Sequence, residues 1–165
     1  MTDTGSGGAF SSTVTWEAVA EYFEPDGSLL DIAVFDTDLS DWRRLVQYLL
    51  ASGPDLRLTV DDEPRELADE GVEGLLHASE ESSVLLSLYI AGMQFNCHFL
   101  GSDEIEFDID PKEVTETNFA SLLEFMRSVA SHLERDVVLG GENMAHYPFL
   151  VYSVERTAFD LVRGG

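Results

Sequence analysis

Cys97 and His98 are the first neighbours in this chain whose types suggest chemistry, since a thiol beside an imidazole is what a cysteine nucleophile requires. The residues around them pull the two apart. Phe95, Cys97 and Phe99 alternate with Gln94, Asn96 and His98, and in a strand successive side chains point to opposite faces. Cys97 therefore reads as a small core residue. His98 reads as an outward side chain beside Glu106, whose charge would raise the imidazole pKa.

Metal and acid–base chemistry fare no better. None of His77, His98, His132 and His146 has a partner at metal-ligand spacing with a third ligand close by, so no zinc site is expected. Glu104, Glu106, Asp108 and Asp110 carry the oxygen ligands calcium prefers. Their spacing is not that of an EF-hand, and a strand spreads its side chains along one face instead of wrapping an ion. Glu106 and Asp108 as an acid–base pair carry little weight in a chain with 32 acidic residues. Gly140-Gly141 lacks the lysine and the following helix of a phosphate loop, and reads as a plain loop with Glu142 and Asn143. The expectation is a protein that is not an enzyme, with no metal and no cofactor.

The elements that position these residues lie between Ser82 and Asp110. Val84, Leu86, Leu88 and Ile90 share one side of a first strand, Phe95, Cys97 and Phe99 one side of a second, and Ile105, Phe107 and Ile109 one side of a third. Such alternation marks an antiparallel sheet packed on one face. Paired residues must share a face. A two-residue turn at Ala91-Gly92 sets Leu88 against Phe95, and a three-residue loop at Gly101-Ser102-Asp103 sets Cys97 against Phe107, whereas a two-residue turn there would bring Glu104 onto the core face. The other face then reads in rows: Leu85–His98–Glu106, Ser87–Asn96–Asp108 and Tyr89–Gln94–Asp110. Phe95, Phe99, Ile105 and Phe107 are the expected core.

Elsewhere the pattern alternates between strand and helix. Residues 12–24 place Trp16, Val19, Ala20 and Phe23 at helical spacing, with a strand turning through Pro25-Asp26-Gly27 as the rival. Residues 28–35 read as a strand. Trp42, Leu45, Val46 and Leu49 form the buried stripe of a helix capped within Asp36–Ser40 and ended by Gly53-Pro54. Strands follow at Leu56–Val60 and, at the edge, Arg65–Leu67, then a short helix at Val72–Ala78. Asp110-Pro111-Lys112-Glu113 opens a helical turn. Phe119, Leu122, Leu123, Met126, Val129, Ala130 and Leu133 keep the 3.6-residue period of a long amphipathic helix. Val137–Leu139 and a terminal hairpin, Pro148–Val154 with Ala158–Val162, complete the reading. Residues 1–11 are expected to be a flexible tail, and 12–165 one α+β domain: a mostly antiparallel sheet with two main amphipathic helices packed on one face.

Composition narrows the partners. The chain has 165 residues, 44% of them hydrophobic, enough for a substantial core. Its formal charge is −23, and Lys112 is its single lysine. Phosphate backbones and anionic membranes would be repelled, so neither nucleic acid nor membrane is an expected partner. There is no apolar run long enough to span a bilayer, the residues MTDTGSGGAF do not read as a signal peptide, so none is expected, and one cysteine suits a reducing cytoplasm. The acidity has three readings: solvation in a salty cytoplasm, general solubility, or steering of a basic protein partner.

The segments FEPDGSLLDIAVFDTDLSDW, MQFNCHFLGSDEIEFDIDPKEV and VVLGGENMAHYP resemble small acidic bacterial α+β proteins of the immunity class, which neutralise polymorphic toxins. The resemblance implies a cytoplasmic binder that occludes a toxin's active site. It carries over no binding residue by position. From register and charge alone, the expected partner-binding face comprises Tyr89, Gln94, Asn96, His98, Asp103, Glu104, Glu106, Asp108 and Asp110, with a basic protein such as a toxin as partner. The alternative is an acidic domain without a dedicated basic partner.

Overall fold

The structure is a computed structural model describing residues 14–162, and its three central strands pair as face matching requires. Leu88 lies opposite Phe95, Leu86 opposite Cys97, and Cys97 opposite Phe107. Four α-helices are present among the described residues: α1 (Trp16–Val19), α2 (Leu39–Ser52), α3 (Val72–Ala78) and α4 (Phe119–Leu133). The strands are β1 (Leu30–Phe35), β2 (Asp55–Val60), β3 (Glu63–Arg65), β4 (Val84–Ile90), β5 (Met93–His98), β6 (Glu104–Ile109), β7 (Val137–Gly141), β8 (Leu150–Ser153) and β9 (Ala158–Leu161). They form one sheet in the order β9-β8-β7-β1-β6-β5-β4-β2-β3, with every neighbouring pair antiparallel. The fold is α+β. The expected tail at 1–11 lies outside the described residues.

The core forms where α2 and α4 cover one face of this sheet. Phe95, Phe99, Ile105 and Phe107 are all buried, as their alternation demands. Phe125 of α4 meets Phe95 at 4.5 Å and Phe107 at 5.2 Å between ring centroids. Trp42 of α2 stacks on Phe99 at 4.8 Å. Each such aromatic contributes about 1.5–3 kcal/mol by leaving water. The start of α2 is fixed by a reciprocal cap: Asp38 accepts from the Asp41 amide at 3.1 Å, and Asp41 accepts from the Asp38 amide at 2.9 Å. Gly53, at φ 81°, ends the helix in the left-handed conformation that glycine adopts most readily.

Several elements differ from their sequence reading. The connection after β5 runs over residues 99–103, because β5 stops at His98. The β1–α2 junction pulls it out of the ladder: Trp42 Nε1 donates to the Gly101 carbonyl at 3.1 Å, and Thr37 Oγ1 to the Ser102 carbonyl at 2.7 Å. The register survives, since Cys97 still faces Phe107. Residues 16–23 are helical, as α1 followed by a tighter turn at Ala20–Phe23, and the hairpin rival is not formed. Trp16 stacks on Phe23 at 5.5 Å, and both meet Phe119 edge-on, so packing of the two rings against α4 fixes the helical turn. The edge strand spans Glu63–Arg65 instead of Arg65–Leu67, because Leu67 turns inward and is buried. Gly140 and Gly141 belong to β7, where they pair with Asp31 and Leu30; they are not a loop.

Candidate functional site

The helices leave the opposite face of the sheet to polar side chains. Pairing across six strands sets Arg57, Ser87, Asn96, Asp108, Asp31 and Gly140 in one row. A second row runs Thr59, Leu85, His98, Glu106, Ala33 and Val138. Both rows exist because β5 and β6 alternate with apolar side chains inward and polar ones outward, while β1 turns Asp31, Ala33 and Phe35 to the same outer face.

A hydrogen-bonded chain links the first row. Ser87 Oγ and Gln94 Nε2 both donate to Asn96 Oδ1 at 2.9 Å, and Asn96 Nδ2 donates to Asp108 Oδ1 at 3.0 Å. His98 Nε2 meets Asp108 Oδ2 at 2.6 Å. The partner of His98 is thus diagonal, Asp108 and not the directly opposed Glu106 of the sequence reading. The electrostatics explain the choice. Burial pushes Asp108 up, but hydrogen bonds from His98 and Asn96 outweigh it and hold the carboxyl below its ordinary range. The bond to Asp108 raises the His98 pKa against the opposing effect of burial, with the charges of Asp108, Glu106 and Asp31 adding to the rise. The bond favours the protonated ring and commits it to one carboxylate.

Among the described residues, Glu106 and Asp31 form no ion pair of their own and feel His98 only at a distance. Desolvation, then the charge of Asp31 and a hydrogen bond that the protonated Glu106 carboxyl donates to Glu104, push Glu106 up to about 7. Burial raises Asp31 as well, only partly opposed by the Asn143 amide that donates to Asp31 Oδ2 at 2.7 Å. Asp31 is 3% exposed, one of the few charged groups enclosed by this fold. Sequence reasoning missed it, although a lone aspartate in the apolar strand LLDIAVF was the signal.

The remaining predicted residues scatter. Asp103 is exposed at the end of the connecting loop, where its carbonyl accepts from the Thr37 amide at 3.1 Å. Glu104 lies opposite Phe35 and next along the face from Glu106. Asp110 falls outside the row expected for it: its carboxylate accepts from the Lys112 amide at 2.9 Å and caps the turn Pro111–Glu113. Gln94 gives its amide to Glu113 Oε1 at 2.7 Å. Tyr89 stands at the sheet margin beneath Arg57, 5.1 Å from guanidinium to ring centroid. There it lines a cleft of 280 Å³ with Tyr48, Leu49, Ser52, Gly53, Pro54, Ile90 and Phe125, away from the carboxylate rows. The structure therefore brings Asn96, His98, Glu104, Glu106 and Asp108 together, adds Asp31 and Ser87, and separates Tyr89 and Asp110 from them.

Part of this face is covered by the chain itself. The segment between β7 and β8 folds across β7 and β1, where His146 stacks on Phe35 at 4.2 Å and Asn143 reaches Asp31. Cys97 lies on the opposite side of the sheet, fully buried, with its thiol pushed upward by burial and so unable to act as a nucleophile near neutrality. Among the described residues, no group of three or more His, Cys, Asp or Glu side chains is placed to hold a metal ion. No helix among them is long and apolar enough to cross a membrane. Comparison with known proteins gives no match, whether to a family model, a curated protein or a solved structure.

Proposed function

We propose that this chain is a non-enzymatic binding protein whose outer sheet face docks a cationic protein. One observation carries the reading: on that face Glu104, Glu106 and Asp108 crowd together beside the enclosed Asp31, and the histidine among them is already committed to Asp108. Glu106 held near 7 reports the cost of this crowding. Crowded carboxylates of this kind are relieved by arginine or lysine side chains from outside, and such complementarity raises both association rate and specificity. Asn96 and Gln94 supply hydrogen-bonding edges beside the charge.

The partner that best fits both this face and the resemblance to immunity proteins is a basic toxin encoded beside this chain, acting in a cytoplasmic setting. Docking on a flat acidic face occludes a basic active-site surface without requiring catalysis by the inhibitor. The test is a calorimetric titration of this protein with the product of the adjoining upstream gene. Stoichiometric 1:1 binding with loss of that product's activity is the expected result. A basic neighbour that shows no binding at micromolar concentration overturns the proposal.

A further inference from the structure

Beside the carboxylate rows, the segment Glu142–Pro148 holds two large apolar side chains out in water. Tyr147 is 78% exposed and Met144 52%, among the most exposed large apolar residues of the described chain. They are not on a loose loop. Glu142 Oε1 accepts from the Leu29 amide at 2.7 Å, and Asp31 Oδ2 accepts from the Asn143 amide at 2.7 Å. The Met144 amide donates to the Gly141 carbonyl at 2.8 Å, the Tyr147 amide to the Met144 carbonyl at 2.9 Å, and the Phe149 amide to the Leu139 carbonyl at 3.0 Å. Ala145 is buried against the sheet, and the His146 ring lies flat on Phe35.

The close approach needs Gly140: a Cβ there would stand 2.9 Å from the Met144 carbonyl oxygen. Asp31 thus has two neighbours of consequence. On one side it faces Asp108 across the ladder; on the other it fixes the segment that carries Tyr147. A buried carboxylate is costly unless its hydrogen bonds organise something. Here the thing organised is a pair of exposed apolar side chains set at the margin of the acidic face.

We infer that Glu142–Pro148 is the apolar half of the docking surface, with Tyr147 as its anchor and Met144 beside it. The occupant is the same cationic partner, through a segment in which an apolar side chain accompanies arginine or lysine. This inference rests on the reading of the acidic face above. Charge there supplies steering; the preset tyrosine supplies contact area at little ordering cost, which is where binding energy concentrates in interfaces. Asp31 and Gly140 are positioning residues that touch no partner.

The test uses the full chain, immobilised, to select from a displayed library of random 16-residue peptides. Affinities of the enriched synthetic peptides are then measured for wild type, Tyr147→Ser and Gly140→Ala at several salt concentrations, with thermal unfolding confirming that each variant is folded. Enrichment of Arg- or Lys-bearing peptides is expected. Tyr147→Ser should weaken them about tenfold or more while leaving the slope of affinity against salt unchanged. Gly140→Ala, which alters no exposed side chain, should weaken them likewise by lifting the segment. Basic peptides that bind Tyr147→Ser as tightly as wild type overturn the anchor and leave the acidic face standing. Failure to enrich any basic peptide overturns both.

Discussion

Asp31 on β1 and Asp108 on β6 stand directly opposite each other across the ladder, two carboxylates in paired positions at the centre of the sheet. Like charges so placed are destabilising. The fold separates their fates: Asp108 is stabilised by His98 and Asn96, while Asp31 is enclosed, raised, and tied to the Asn143 amide. The surplus negative charge falls on Glu106, next along the same face.

That surplus gives a pH signature. A carboxyl whose folded pKa is raised from 4.5 to about 7 carries no penalty where both states are protonated. The penalty develops as pH rises from 4.5 through 7 and is complete above it. Asp31, also raised, and His98, whose favourable charge is lost as pH rises through its folded pKa, act in the same direction. Glu106→Gln removes the Glu106 share, so it should gain on wild type across that window. After solvent screening the relative gain is on the order of 1 kcal/mol, or about 2–4 °C in Tm. Thermal unfolding of both proteins from pH 4.5 to 8 measures it; a difference constant over the window contradicts this account of the cluster.

A second buried carboxylate has a purely structural part. Asp41 is 1% exposed, caps the Asp38 amide, and accepts from Arg135 Nε at 2.9 Å, tying α2 to the turn after α4. Arg135→Met should cost about 2–3 kcal/mol in urea unfolding, because it leaves the buried Asp41 charge with only the Arg44 guanidinium, 3.9 Å away. Adding Asp41→Asn, which keeps an acceptor for the cap, should recover most of the loss. A single variant as stable as wild type would contradict the assignment.

The contrast between Glu106 and Asp31 shows what the sequence made legible. Glu106, Asp108, Asn96 and His98 lie on hairpin-connected strands, where alternation and loop length alone decide which side chains meet, so their rows could be read in advance. The buried set Phe95, Phe99, Ile105 and Phe107 was legible for the same reason. Asp31 joins the cluster through pairing of β1 with β6, strands far apart along the chain, and nothing local specifies that register. The cover formed by residues 142–148 was hidden for a different reason. Gly140-Gly141 looks like a loop in sequence, yet the missing Cβ serves a strand over which another segment closes. Tyr89 pairs with Gln94 as alternation requires, whereas Asp110 lies past the ladder's end, where a capping turn takes over.

The central claim is that the outer face is a docking surface for positive charge. The slope of affinity against salt concentration for the basic partner, compared between wild type and the Glu104→Lys/Glu106→Lys double variant, tests it most directly. Wild type should weaken about tenfold or more between 50 and 300 mM salt, since exposed charges are screened beyond a Debye length. The double variant should bind about a hundredfold more weakly at low salt and show a much flatter slope. Equal affinity and equal slope in the two proteins would place the partner elsewhere and contradict the claim.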